Sequence, residues 1–208
     1  LEVVYGDTKG DSKQSITVFR QLLLSENIKV FMPFLTGETL AIQPIAKDED
    51  VIVMSLTVHE PAANKDMNTF RLSYSFQAEA LAMADYLMKQ DLKSISVIYS
   101  EDAASKYQVE KTFVPTLEAN GIKDIYQESF KVRQKDFRSL VARVKNQDPT
   151  DIYIAGFGSD FPNILKELKI QDLMPPRVRV TGGVPMWEVS HFVKPKMLEG
   201  IIFASPPL

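Results

Sequence analysis

Residues 94–121 read SISVIYSEDAASKYQVEKTFVPTLEANG, and this stretch decides the fold. Ser94–Tyr99 is a short apolar run rich in β-branched side chains, which fits a buried strand. Val109, Phe113 and Leu117 then recur every four residues across Ser105–Asn120, so they share one face of a helix. Gly121 follows as a residue able to take the left-handed conformation that ends a helix. A further strand, Ile125–Phe130, begins at once. A strand, a covering helix and a second strand form the unit that builds parallel sheets.

The same alternation extends in both directions. Downstream, Asp136–Asn146 places Phe137, Leu140, Val141 and Val144 at i, i+3, i+4 and i+7. Strands are expected at Asp151–Ala155, Arg177–Thr181 and Gly200–Ala204. Helices are expected at Phe161–Ile170 and near Trp187–Phe192. Upstream, Leu1–Tyr5 reads as a strand and Asp11 as the cap of a helix over Ser12–Ser25, with Ile16, Phe19, Leu22 and Leu23 on one face. Lys29–Phe34 and Val51–Ser55 are strands on either side of a helix from about Glu38 to Lys47, inside which Pro44 is a candidate kink. Leu56–Asn68 has no period and reads as a loop. Phe70–Leu72 is extended and Phe76–Gln90 helical. The pattern predicts an α/β protein of parallel sheets flanked by helices on both faces. The boundary falls near Arg71–Ser75, where a short strand carries the chain from one sheet to the next.

Composition narrows the function. Among 208 residues, 24 are Lys or Arg and 27 are Asp or Glu, and the signs are interspersed. No basic stripe offers a nucleic-acid footprint. There is no cysteine, which removes disulfides, thiol nucleophiles and thiolate metal sites together. No apolar run reaches the ~20 residues of a membrane span. The only histidines, His59 and His191, are far apart and lack acidic residues at ligand spacing, so no metal site is expected.

Catalytic motifs fail on inspection. Gly156–Phe161, GFGSDF, opens like a dinucleotide fingerprint but lacks the third glycine and follows a late strand. Gly6–Lys13, GDTKGDSK, lacks phosphate-loop spacing. No Gly-x-Ser-x-Gly elbow exists. Tyr153 and Trp187 read as core, and the basic residues of Lys131–Lys145 as the solvated face of a helix. No catalytic residue and no cofactor is expected.

Lys135–Lys145, KDFRSLVARVK, resembles a helix of the type I periplasmic binding proteins, in particular the branched-chain amino-acid receptors that serve ABC importers. Glu2–Gln14, EVVYGDTKGDSKQ, is similar to that family's V-x-Y-D-D-x-x-D-P-K-Q segment. Lys29–Thr39 is similar to its I-K-Y-V-I-G strand and the small polar loop after it. DIYIAGF at Asp151–Phe157 resembles its D-F-V-Y-Y-G-G-Y strand, and Glu199–Phe203 its E-G-L-L-V stretch. These motifs occur in the family's order over essentially all of the chain.

The resemblance implies two Rossmann-like lobes, with residues 1–73 as part of lobe one, 74–205 as lobe two, and 206–208 as the start of a return crossover. It also implies a central fragment, with lobe one incomplete and ligand binding weakened accordingly. Ligands of such sheets bind beyond the carboxyl ends of the strands, where helix starts present unpaired amides. The implied ligand residues of lobe one are Thr36, Gly37, Glu38 and Thr39, then Thr57, Val58 and His59. The alternative for the first group is a capping turn with Thr36 as N-cap. Glu38 there opposes an anionic ligand unless it points away.

From lobe two the resemblance implies Ser75, Gln77, Ala104, Phe157 and Gly183. Ala104 and Phe157 replace tyrosines, and Gly183 stands where the family carries a glutamate for the ligand's ammonium. This departure favours a small carboxylate without the amine, unless Glu101 or Asp102 supplies the charge. The implied function is capture of a small amino-acid-like or carboxylate solute in the periplasm or at the outer membrane face. ABC permease subunits are the implied partners, with membrane contact only through them or an anchor. Two other roles share the architecture: a sensory domain of a membrane receptor or kinase, and the effector domain of a repressor.

Overall fold

A computed structural model describes residues 2–158, 160–183 and 189–204. The chain parts into two compact units between Ser75 and Phe76.

The first unit holds a three-stranded parallel sheet in the order β1 (Val30–Phe31), β2 (Ile52–Ser55), β3 (Thr69–Arg71). Helices α1 (Ser12–Glu26) and α2 (Thr36–Asp48) pack on each other. Phe19, Ile42, Ala46, Val51 and Val53 form the core with Phe31. Asp11 caps α1 by accepting from the amides of Lys13 and Gln14. Pro44 is accommodated inside α2 without ending it. On the other face of this sheet Val30, Ile52 and Phe70 stay 48%, 43% and 51% exposed, against the usual double cover of parallel strands.

Two expectations for this unit are corrected. Residues 2–5 form no strand, although their side chains favour one. An extended run becomes a strand only against a ladder partner, and β1 pairs with β2 alone. The expected Lys29–Phe34 strand shrinks to Val30–Phe31, because Pro33 has no amide with which to extend the ladder, and Phe34 is left 70% exposed. The loop at 56–68 contains two single 3-10 turns, Glu60–Ala62 and Lys65–Met67.

The second unit is a five-stranded parallel sheet in the order β5 (Asp124–Phe130), β4 (Ser94–Ser100), β6 (Asp151–Ala155), β7 (Arg179–Gly182), β8 (Ile202–Phe203). Its central strands are buried on both faces, and their side chains alternate between two cores. Ile95, Val97, Tyr99, Tyr153 and Ala155 meet α3 (Phe76–Lys89) and the helix that follows β4. Ile98, Ile152 and Ile154 meet α6 (Arg138–Lys145) and α7 (Phe161–Ile170).

The helix expected over Ser105–Asn120 starts earlier and is not uniform. Asp102 caps it at Ala103, by accepting from the amides of Ala104 and Ser105. It then runs as α4 (Ala103–Tyr107), a π turn (Gln108–Phe113) and α5 (Val114–Ala119). Pro115 accounts for the wide turn, since it has no amide for the Lys111 carbonyl and its ring crowds that carbonyl. Of the helix expected near Trp187–Phe192, residues 184–188 lie outside the described residues, and 189–191 make one 3-10 turn.

Candidate ligand site

Each unit presents polar side chains at the carboxyl ends of its strands. In the first unit, α2 begins directly beyond β1. Leu35 takes the N-cap position and Thr36 is already helical, so the reading of Thr36 as cap is corrected by one residue. The cap oxygen comes from elsewhere. Glu38, only 3% exposed, turns back so that its Oε2 accepts from the amides of Phe34 (3.3 Å) and Leu35 (3.1 Å). The Thr8 hydroxyl donates to its Oε1. A carboxylate at a helix start offsets the positive end of the helix dipole. Gly37 lies close against α1, and a Cβ there would sit 2.8 Å from Ser12 Oγ.

The loop after β2 lies beside this turn. The hydroxyls of Thr36 and Thr57 are 2.6 Å apart, as are those of Thr39 and Ser55. Thr57 Oγ1 also accepts from the His59 amide, and Ser55 Oγ from the Thr57 amide. Thr36, Thr39, Thr57, Val58 and His59 are all buried. Burial pushes the His59 imidazole below its ordinary pKa, because a low-dielectric surrounding penalises the charged ring. Of the residues anticipated in this unit, Thr36, Gly37, Glu38, Thr39, Thr57, Val58 and His59 therefore share one neighbourhood. Ser75 ends the first unit, not the second, and its Oγ donates to Glu60 Oε2 at 3.2 Å.

In the second unit the chain leaves β4 towards β5 and then crosses back to β6. The carboxyl ends of β4 and β6 thus flank the switch point at which open α/β sheets hold ligands. Ala104 and Phe157 stand at these two ends. Ala104 is fully buried, and the Phe157 ring packs 6.1 Å from Phe76. Asp160, 7% exposed, accepts from the Phe157 amide at 3.4 Å. Burial raises its pKa, the Phe157 amide opposes the rise, and the charge of Asp102 adds to it.

Gly183 follows β7, and Glu79 fills the space above it. A Cβ on Gly183 would fall 1.8 Å from Glu79 Oε1. Gln77, on the same opening turn of α3, is buried. Gln108 Nε2 donates to Glu79 Oε1 at 2.7 Å and is shared with the Phe76 carbonyl (3.0 Å) and the Tyr153 hydroxyl (3.1 Å). Tyr153 is fully buried, as its core reading required. Burial first, and then the nearby Glu79 charge, holds its pKa well above the usual tyrosine value.

Of Glu101 and Asp102, the two acids considered as substitutes for a side chain at 183, Glu101 accepts from Ser129 Oγ at 2.9 Å. Asp102 caps α4 through Oδ1, and its buried Oδ2 has no hydrogen-bond partner among the described residues. Glu79, which the sequence reading does not name, lies three residues after Phe76 and so on the inward face of α3. Among the described residues no group of three or more His, Cys, Asp or Glu side chains is placed to hold a metal ion.

In each unit, helix starts and polar side chains lie beyond the carboxyl ends of parallel strands, the arrangement of an open α/β sheet. The chain belongs to the periplasmic binding protein family, whose model matches residues 1–208. It is 24% identical over 160 residues to Leu/Ile/Val-binding protein homolog 3 of Brucella melitensis, covering 75% of this chain and 43% of that protein. Leu/Ile/Val-binding protein BraC3 of Rhizobium johnstonii is 22% identical over 153 residues, covering 73% and 42%. The chain thus spans less than half the length of these relatives.

Two solved structures illustrate the fold. A leucine-binding protein from Thermotoga maritima aligns with a TM-score of 0.82 at 17% identity, over 97% of this chain and 58% of its own. A solute-binding protein of an ABC transporter from R. palustris, in complex with 4-hydroxybenzoate, aligns with a TM-score of 0.80 at 17% identity, over 88% and 50%. Parallel sheets flanked by helices are what these neighbours share with the chain.

Proposed function

We propose that this chain is the ligand-capturing part of an extracytoplasmic solute-binding protein, which holds a small carboxylate solute unchanged and delivers it to an ABC importer. The observation that carries the reading is the opening turn of α2. The first amides of a helix have no acceptor within it, and they favour an anion. Here Thr36 and Gly37 offer such amides, and the Thr36 hydroxyl is paired at 2.6 Å with Thr57 from the next loop. Glu38 points back at Phe34 and Leu35, so its charge is near this turn but its oxygens are committed. Family membership supports the reading, as do the leucine-binding and hydroxybenzoate-bound neighbours.

A thermal-shift screen against amino acids, aromatic acids and short-chain acids tests it. A ligand at a hundred times its Kd stabilises by about 2.7 kcal/mol. Glu38→Gln removes a negative charge beside the anion site while keeping an acceptor for Leu35. Its unfolding temperature without ligand falls, and its affinity for a carboxylate ligand rises. A set of hits that all lack a carboxylate would sink the proposal.

A further inference from the structure

The second unit contains a buried acid that the capture of a carboxylate does not use. Glu79 is 6% exposed, and a buried carboxylate is costly unless the surroundings hold it. The network around it draws on three separate elements. Glu79 itself lies on α3, Gln108 opens the π turn and donates at 2.7 Å, and Tyr153 lies in mid-β6 within the same network. Gly183, just beyond β7, completes the seat. Any other residue at 183 would place its Cβ within 1.8 Å of Oε1 and 2.6 Å of the carboxyl carbon. The position of Gly183 is not set by a left-handed turn, since its φ lies outside that region. Space for the carboxylate is what the absent side chain provides.

An ionised carboxylate only accepts hydrogen bonds, and a site beyond strand ends is where ligands of such sheets are met. We propose that Glu79, seated on Gly183 and braced by Gln108, is a specificity-determining residue that accepts a hydrogen bond from a donor on the ligand, an ammonium or a hydroxyl. The inference rests on the solute-binding reading above. It changes what that reading says of the ligand: Gly183 does not remove negative charge from the end of β7, because α3 delivers it. The ligand class is a carboxylate that also carries a donor, in preference to a plain carboxylate.

Matched pairs test this on the intact protein by titration calorimetry. Phenylalanine against 3-phenylpropanoate isolates the ammonium, and 4-hydroxybenzoate against benzoate isolates the hydroxyl. In one pair the donor-bearing member binds at least tenfold tighter, and the pair identifies the donor. Glu79→Gln removes the charge and lowers that ratio by about tenfold. Gly183→Ala keeps the carboxylate but displaces it, and lowers the ratio in the same direction, which guards against a Glu79 variant that does not fold. Equal binding of both members in both pairs overturns the inference and leaves the carboxylate-capture reading standing. A donor preference that survives both substitutions overturns the assignment to Glu79. Failure of all four acids to bind counts against the capture reading itself.

Discussion

Asp160 is a buried acid beyond β6 with a clear pH signature. Its folded pKa is raised, chiefly by burial, so folding favours the protonated form. The stability this contributes is fully present below the unfolded aspartate pKa and is lost as pH rises through the folded value. Asp160→Asn, which can still accept from the Phe157 amide, is therefore expected to unfold at a higher temperature than the parent at pH 7 and at the same temperature near pH 3. Thermal melts across that range check it. Asp151 is shifted in the same direction by burial, so the comparison of variant with parent is what isolates Asp160. At this scale the sequence was only partly legible. Thr36, Thr57 and His59 are named through the family resemblance, which places ligand contacts after these strands. Glu79 is not, because its partners Gln108 and Tyr153 lie 29 and 74 positions away, and only the sheet brings them together.

Helices and strands were read well where burial imposes a period. The helix α3 shows why, since Phe76, Ala80, Met83, Ala84 and Leu87 recur on its inward face while Leu81 is 49% exposed. Leu87→Ala is expected to cost about 2–5 kcal/mol, as buried truncations do. Leu81→Ala, the same change on the outward face of the same helix, stays within about 0.5 kcal/mol. Urea unfolding of the two variants gives both numbers. Strand ends were less legible, because pairing decides them and not side-chain preference. Residues 2–5 have strand-like composition but no ladder partner, and Pro33 has no amide with which to carry β1 on to Phe34. The π turn was hidden for another reason. Val109, Phe113 and Leu117 keep a helical spacing through it, and only Pro115 signals that the backbone widens.

For the molecule as a whole, the two units differ in how completely their sheets are enclosed. Strands β4 and β6 carry packed side chains on both faces, with Val97, Ile98, Ile152 and Ile154 all at 0% exposure. Their amides open to solvent only when the second unit unfolds as a whole. The strands β1–β3 are short and covered on one face. Hydrogen exchange followed by mass spectrometry is expected to protect residues 95–99 and 151–155 longest, and to exchange residues 30–31 and 69–71 at least a hundredfold faster. Equal protection would mean that the uncovered sheet is no weaker than the enclosed one. The uncovered strip of Val30, Ile52 and Phe70 has a practical side too. Sulfate and similar salts strengthen the tendency of apolar surface to leave water, so this strip is expected to contribute to the salting-out of the chain. Replacing Ile52 by lysine delays precipitation by ammonium sulfate more than the same exchange at an equally exposed helical position such as Leu81.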